Sequence, residues 1–165
     1  AHGALVVEEE GAPAAGAPEW RPYLEGDPAR GRALFFDDEG PVRCAGCHRV
    51  GEEGGDIGPE LTSVAGTRTL PAIVESLLEP DASIPAGYET VLVETTTGRI
   101  LDGLVLRETA DSLWLASALD EQHVVARAHI ARRRVQETSL MPGDLARRLT
   151  VDQFHDLLAY LRTLE

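Results

Sequence analysis

The sequence predicts an α+β protein, in which a mainly helical unit carries an inserted small antiparallel β-sheet or barrel. Apolar residues recur at helical spacing in the early and late parts of the chain. Between residues 90 and 130 they fall instead into short β-rich runs separated by turn residues. With 165 residues and 43% apolar content, the chain can bury one core and a small satellite domain. We therefore predict an arm or linker at 1–25, a helical unit at 26–89 and 136–165, and an inserted β module at 90–135.

The first residues are rich in Ala, Gly, Pro and Glu and show no lasting periodicity, which is typical of a flexible arm. Residues 1–16 lack the basic start and continuous apolar stretch of a signal peptide, and no apolar run approaches the roughly 20 residues that cross a bilayer. A helix then begins with Asp27 as N-cap and Pro28 at the first helical position. Gly31 shares a face with Phe35. Because glycine costs about 1 kcal/mol against alanine inside a helix, we expect another element to pack closely against it.

The most informative stretch is Cys44-Ala45-Gly46-Cys47-His48, which contains both cysteines of the chain. This pattern is the attachment signature of a c-type haem, in which both thiols bond to the porphyrin vinyl groups and the histidine ligates the iron. Two intervening residues let both sulfurs reach neighbouring edges of one porphyrin, and the imidazole then lies beneath the metal. Half a zinc site, a dithiol redox motif and a disulfide are the alternatives. A zinc site lacks its second Cys/His pair here, and a thioredoxin-like motif lacks its βαβ context.

The remaining elements follow from periodicity and turn signals. A Gly- and Glu-rich loop at 49–56 precedes a helix over 70–79, which Thr69 caps and Pro80 ends. A last helix begins at the capping box that starts with Thr150 and reaches the chain end. Its apolar face consists of Phe154, Leu157, Leu158, Leu161 and Leu164. The predicted β runs are 91–93, 100–106, 112–116 and 123–130.

This order of motifs resembles class I cytochromes c, and in particular the haem-binding domain described in planctomycetes and Verrucomicrobia. The shared features are the helix with Gly31 and Phe35, the Cys44-to-His48 motif, Gly58-Pro59-Glu60-Leu61, a middle helix, a Met, and a last helix with Asp156-Leu157-Leu158-Ala159-Tyr160-Leu161. They cover roughly 27–89 and 136–165. The resemblance implies a mainly α cytochrome c fold that the β module interrupts just before the Met loop.

The resemblance also implies roles for individual residues. The first and last helices are expected to cross at Gly31, Phe35 and Tyr160. Pro59 is expected to offer its carbonyl to His48, the proximal ligand. The haem-binding residues it implies are Cys44, Cys47, His48, Pro59, Leu61, Tyr88 and Met141. The longer interval between Phe35 and Cys44 departs from the family pattern.

A sixth iron ligand is predicted at Met141, the only methionine of the chain. It follows no apolar periodicity and precedes Pro142-Gly143, in the loop where class I cytochromes c carry their methionine. A thioether ligand stabilises ferrous iron and raises the potential. The competing ligands are His2, His123, His129 and His155. Tyr88 could hydrogen-bond near the Met141 sulfur or a haem propionate, and Arg49 could pair with a propionate.

The chain is acidic, with a formal charge of −13, and all 15 of its basic residues are arginine. The acidity belongs to the part with the haem motif, since residues 1–89 hold 17 acids and 6 arginines while 90–135 hold 6 of each. This argues against nucleic acid or anionic lipid and favours a redox partner with a basic docking face. Solubility alone is the alternative explanation. A solvated strand end is the simplest interpretation of the run Arg132, Arg133 and Arg134, although these residues could also contact a partner or a propionate.

These features predict an electron-transfer protein with one covalent haem c and His48 and Met141 as axial ligands. No general base, nucleophile pair or phosphate loop appears, so no catalysis is assigned. The alternatives are a haem enzyme or gas sensor with a labile sixth ligand, the cytochrome domain of a larger redox enzyme, and an interaction module. The β module resembles Sm-like small barrels, a likeness that does not carry RNA binding with it. We expect this module to flank the haem crevice and to shape docking. Families with this motif attach haem outside the cytoplasm, so a periplasmic or otherwise extracytoplasmic monomer or tethered domain is expected.

Overall fold

The computed structural model describes residues 25–117 and 122–165. Its helices are α1 (Pro28–Phe35), α2 (Cys44–Cys47), α3 (Val64–Thr67), α4 (Leu70–Leu78) and α5 (Val151–Leu161). Its strands are β1 (Arg49–Val50), β2 (Glu53–Gly54), β3 (Glu89–Thr95), β4 (Ile100–Glu108), β5 (Ser112–Ala116), β6 (Gln122–Ala126) and β7 (Ile130–Ser139). The fold is therefore mixed α+β, as the sequence predicts. The predicted arm lies outside the described residues except for Glu25.

Helices α1 and α5 cross at the place that Gly31 marks. A Cβ on Gly31 would lie 1.9 Å from the carbonyl oxygen of Asp156 and 2.8 Å from the Tyr160 Cβ. The rings of Phe35 and Tyr160 meet edge to face, with 5.5 Å between their centroids. The close approach expected at Gly31 is confirmed, and it exists because a helix backbone can touch another helix only where no side chain intervenes.

The crossing is also held by a buried carboxylate. Asp156 is 5% exposed, and it accepts hydrogen bonds from Nε and Nη2 of Arg30 at 2.7 and 2.9 Å. It accepts a further hydrogen bond from the backbone N–H of Asp27 at 2.6 Å. Asp27 caps α1 with its own side chain, which accepts from Ala29 and Arg30 N–H groups. The start of α1 is thus tied to the middle of α5 by charge-assisted hydrogen bonds.

The last helix ends earlier than predicted. Its capping box is present, with Thr150 and Gln153 exchanging hydrogen bonds, but α5 stops at Leu161 rather than continuing to the chain end. The chain turns because the N–H of Thr163 donates to the carbonyl of Tyr160. Leu164 consequently leaves the helix face, packs against the helical core and accepts a 2.8 Å hydrogen bond from Ala65 N–H.

The sheet is antiparallel, with strand order β6-β5-β4-β3-β7. The prediction of one strand over 123–130 is wrong, because a 3₁₀ turn at Arg127–His129 separates β6 from β7. The run Arg132 to Arg134 therefore lies within β7 rather than at a strand end, although its side chains are exposed as expected. The turn was missed because residues 126–129 contain no glycine or proline, although their two alanines are poor strand formers.

The sheet has a hydrophobic cluster of its own, formed by side chains of its strands. Val91 and Val93 from β3 pack with Leu113 and Leu115 from β5, and Val93 and Leu115 are fully buried. Ion pairs also join distant parts of the sheet, because Glu108 at the end of β4 binds Arg127 in the 3₁₀ turn and Arg133 in β7. The helical core is a separate cluster around α1, α4 and α5.

The segment between the cysteine motif and α4 is more ordered than predicted. The Gly- and Glu-rich loop contains the two-residue hairpin β1–β2, and α3 follows it. Helix α4 has Thr69 as its N-cap and ends at Leu78, one residue before the predicted end. Within residues 25–117 and 122–165, no helix has both the length and the apolar composition needed to cross a membrane.

Candidate functional site

The cysteine motif forms a single helical turn. Cys44 begins α2 and Cys47 ends it, so the two side chains are three residues apart and lie on one side of the turn. The N–H of His48 donates to the carbonyl of Cys44 at 2.9 Å and closes the turn. Burial raises the pKa of the Cys44 thiol to about 12. This thiol is therefore uncharged at neutral pH, which suits the apolar cleft that it lines.

The imidazole of His48 is oriented by a backbone carbonyl. Its Nδ1 lies 2.8 Å from the carbonyl oxygen of Pro59, and because a carbonyl oxygen only accepts, Nδ1 must carry the proton. Nε2 then keeps its lone pair. Burial lowers the pKa of His48, while the hydrogen bond to Pro59 works in the opposite direction. The ring is consequently neutral with a fixed tautomer, as a metal-ligating histidine requires.

Gly58 has a role that sequence analysis missed. A Cβ on Gly58 would lie 2.6 Å from Cε1 and 2.8 Å from Nδ1 of His48, so any side chain there would displace the ring. Its N–H also donates to the carbonyl of Cys47 at 2.7 Å. Similarly, a Cβ on Gly55 would lie 2.3 Å from the carbonyl oxygen of Gly46. Gly58 was part of the motif shared with class I cytochromes c, but no role was assigned to it, and Gly55 was interpreted only as part of a loop.

All seven sequence-predicted haem-binding residues line one cleft. Its empty volume is about 1330 Å³, which includes space open to solvent. The predicted residues on its wall are Cys44, Cys47, His48, Pro59, Leu61, Tyr88 and Met141. Further apolar wall comes from Phe35, Ile73, Leu77, Leu157 and Leu161 of the helices. Leu104 of β4 also contributes, so the sheet forms part of the cleft. This agrees with the prediction that the β module flanks the haem crevice, although the sequence did not indicate which of its residues would do so.

Met141 reaches the cleft from the loop that follows β7. Its side chain is half-buried and packs against the helical core. Its backbone N–H donates to the hydroxyl of Ser139 at 3.1 Å. Tyr88, on the cleft wall, closes a turn by donating its backbone N–H to the Pro85 carbonyl at 3.0 Å. Within the described residues, the Tyr88 hydroxyl makes no hydrogen bond to Met141.

The competing histidines lie elsewhere. His123 and His129 line a different hollow, formed at one end of the sheet with Thr95, Thr97 and neighbouring residues. His155 is on α5 and does not appear on the cleft wall, and His2 lies outside the described residues. His48 is therefore the only histidine on this wall in the part of the chain that the structure describes.

Arginines other than the predicted one line the cleft. The guanidinium of Arg49 binds the carboxylates of Asp56 at 2.8 Å and Glu60 at 3.3 Å, and Arg49 is not on the cleft wall. Arg43 and Arg68 are on that wall and are exposed. They are better located than Arg49 to meet an anionic group at the cleft edge.

The donor set fits an iron porphyrin better than a zinc ion. The large, mostly apolar cleft is lined by a neutral imidazole with Nε2 available, two thiols on one helical turn and a thioether. These groups are the donor set of a covalently attached haem. Across the described ranges, no group of three or more His, Cys, Asp or Glu side chains could hold a metal ion. A second pair of zinc ligands is therefore missing from the described residues.

Comparisons with known proteins agree with this interpretation. Residues 28–96 match the family model described as cytochrome c, a family that binds covalently attached haem c. The matched segment runs from α1 to the end of β3 and includes the cysteine motif and Pro59, whereas Met141 and α5 lie beyond it. No curated protein matches the chain. The family match supports a c-type haem electron carrier.

Proposed function

We propose, from this similarity to cytochrome c, that the chain is an electron-transfer c-type cytochrome with one covalent haem and His48 and Met141 as axial ligands. The strongest support is that His48 and Met141 line the same cleft, although 93 residues of sequence separate them. Because Nδ1 of His48 is committed to the Pro59 carbonyl, Nε2 is the nitrogen available to iron.

The cysteines would hold the prosthetic group covalently. Each thiol of Cys44 and Cys47 would add its S–H across one vinyl group, forming a thioether. The bound haem would supply an iron that cycles between ferrous and ferric states. The helices would bury most of its edge in apolar side chains, and Arg43 and Arg68 could pair with the propionates. A thioether from Met141 would favour the ferrous state and raise the reduction potential.

We further propose that residues 26–89 and 136–165 form the cytochrome unit, with 90–135 inserted as a β module and 1–25 as a linker. In this proposal the chain resembles the haem-binding domain described in planctomycetes and Verrucomicrobia and works outside the cytoplasm, as a monomer or a tethered domain. It carries electrons rather than catalysing a reaction. Its partners are redox proteins with a basic docking face, because the part that contains the haem motif is strongly acidic.

Optical spectra of both oxidation states test the axial ligands. The protein should be produced together with haem-attachment machinery, and wild type, Met141→Leu and His155→Gln should be compared. We expect wild type and His155→Gln to be low-spin, to show the weak red band of sulfur bonded to ferric iron, and to bind carbon monoxide slowly. Met141→Leu should lose the band and bind carbon monoxide readily.

Two results would contradict the proposal. A wild-type protein that stays colourless after such expression would exclude covalent haem attachment. A coloured wild-type protein that lacks the red band and binds carbon monoxide as fast as Met141→Leu would instead favour a gas sensor or haem enzyme with an open or labile sixth position.

A further inference from the structure

Strand β7 leads directly into the loop of Met141, and its last residues are joined to β3 irregularly. Glu89 is paired with Ser139, but the next pairing matches Val91 with Val135. Between these two pairs, one residue of β3, Thr90, faces three residues of β7. Bulges of this kind bend a strand and redirect the side chains that follow it. Here the chain that follows is the Met141 loop.

The bulge interrupts the backbone hydrogen bonds between β3 and β7, and the side chain of Thr90 joins the two strands at this point instead. Its hydroxyl donates to the carbonyl of Thr138 at 2.9 Å, and the two threonine hydroxyl oxygens are 2.7 Å apart. Thr90 is 4% exposed. Since the Thr90 hydroxyl has one proton and gives it to the carbonyl, the Thr138 hydroxyl must be the donor in the second contact. Both hydrogen bonds therefore depend on the Thr90 oxygen.

A second attachment comes from the segment after α4. The backbone N–H of Ser139 donates to Oδ1 of Asp81 at 2.7 Å. The residue before Asp81 is Pro80, which is buried and lines the cleft. The hydroxyl of Ser139 in turn accepts the N–H of Met141. The loop is thus held by the sheet at residue 138 and by Asp81, the neighbour of a cleft-wall residue, at residue 139; these positions are three and two residues before Met141.

We propose that Thr90 and Asp81 are positioning residues for Met141, so that the β-sheet helps to keep the sulfur in the cleft. This inference rests on the proposed function, in which Met141 is the sixth ligand of the iron. Removing either attachment would let the loop move and would lower the occupancy of the iron by sulfur. The net stabilisation by an ordinary hydrogen bond is modest, so losing both Thr90 contacts should weaken sulfur ligation by about three- to tenfold.

The experiment measures competition for the sixth position in the haem-loaded ferric protein. Imidazole is the probe, and the variants are Thr90→Val, Thr90→Ser and Thr95→Val. Thr95 is a matched control because it lies on the same strand, is 8% exposed and donates its hydroxyl to the Arg99 carbonyl, at the end of β3 away from Thr138. Loss of a buried hydroxyl should lower the unfolding midpoint in both valine variants.

We expect Thr90→Val to bind imidazole about three- to tenfold more tightly than wild type, with a weaker red band and a lower reduction potential. Thr90→Ser should be within twofold of wild type, because it keeps the oxygen. Thr95→Val should also leave imidazole affinity within twofold. Should Thr90→Val fail to fold, Asp81→Ala serves as the second variant, and it should move imidazole affinity in the same direction.

The outcomes separate the two proposals. A wild-type protein without the sulfur–iron band refutes the ligation by Met141 and this inference together. A wild-type protein with the band, combined with Thr90→Val and Asp81→Ala affinities no different from that of Thr95→Val, refutes the positioning role alone.

Discussion

Replacing Gly31 by alanine should destabilise the crossing of α1 and α5. The new Cβ would lie 1.9 Å from the Asp156 carbonyl oxygen. Normal contact begins near 3.4 Å, so one helix must shift by roughly the difference of 1.5 Å. The opposing atom belongs to backbone and cannot rotate away. Such a shift would also strain the hydrogen bonds that Asp156 accepts from Arg30 and Asp27.

Two opposed effects determine how far Gly31→Ala changes the free energy of unfolding. Overpacking a well-packed site costs about 1–3 kcal/mol, occasionally more, whereas alanine gains about 1 kcal/mol over glycine inside a helix. Because the contact is with backbone and the Asp156 hydrogen bonds are strained as well, we place the cost at the upper end of this range, about 3 kcal/mol. After the gain of about 1 kcal/mol, Gly31→Ala should lose about 2 kcal/mol of unfolding free energy. Gly66→Ala is the matched control. It also lies in a helix, but the nearest atom to its Cβ would be 3.9 Å away, so it should be neutral or slightly stabilising.

Denaturant unfolding of the haem-loaded protein, followed by circular dichroism, provides the measurement. The midpoint of Gly31→Ala should fall without a change in slope, and that of Gly66→Ala should stay or rise. If Gly31→Ala is as stable as Gly66→Ala, the backbone contact between α1 and α5 does not exist as described. The reasoning about this crossing would then be wrong.

Two further predictions concern Asp156 and Gly58. The hydrogen bond from Arg30 holds the pKa of Asp156 below its usual value, so its contribution to stability is present at neutral pH and is lost as the pH falls below about 4. Asp156→Asn should therefore be less stable than wild type near pH 7 by about 2 kcal/mol, and the gap should narrow on acidification; a constant gap from pH 7 to pH 3 would contradict the ion-pair explanation. Gly58→Ala should displace the His48 ring and raise the high-spin fraction in the ferric spectrum, whereas Gly66→Ala, whose Cβ would have its nearest neighbour 3.9 Å away, should leave that fraction at the wild-type level.

Sequence alone predicted the features that short-range chemistry decides. The N-caps at Asp27, Thr69 and Thr150 needed only local backbone donors and side-chain acceptors, and each is present. The glycine at position 31 predicted a close contact, and the resemblance to class I cytochromes c supplied the partner helix. In these cases the information lay within a few residues or in a known pattern.

Features that depend on tertiary contacts were missed or misread. The 3₁₀ turn at Arg127–His129 lies in a segment without glycine or proline. The pairing of β6 with β5 and of β7 with β3 decides where those two strands separate. The β module was predicted to flank the haem crevice, but its contact residue Leu104 could not be identified, since nothing in β4 indicates which end of the sheet meets the helices. Sequence analysis offered Arg49 as one possible partner of a propionate, but the nearby carboxylates of Asp56 and Glu60 bind it instead.

The pairing of Glu89 with Ser139 means that the sheet begins and ends at neighbouring points. The sheet, a segment of about 50 residues, therefore leaves and rejoins the helical part of the chain at nearly the same point, as a short loop would. The contact between Asp27 and Asp156 spans 129 positions. The entropic cost of closing a loop grows only logarithmically with its length. Even if the sheet were unfolded, its residues would therefore add only about 0.4 kcal/mol to the cost of bringing Asp27 and Asp156 together. A self-contained unit can thus be accommodated here at almost no thermodynamic cost to the crossing it interrupts.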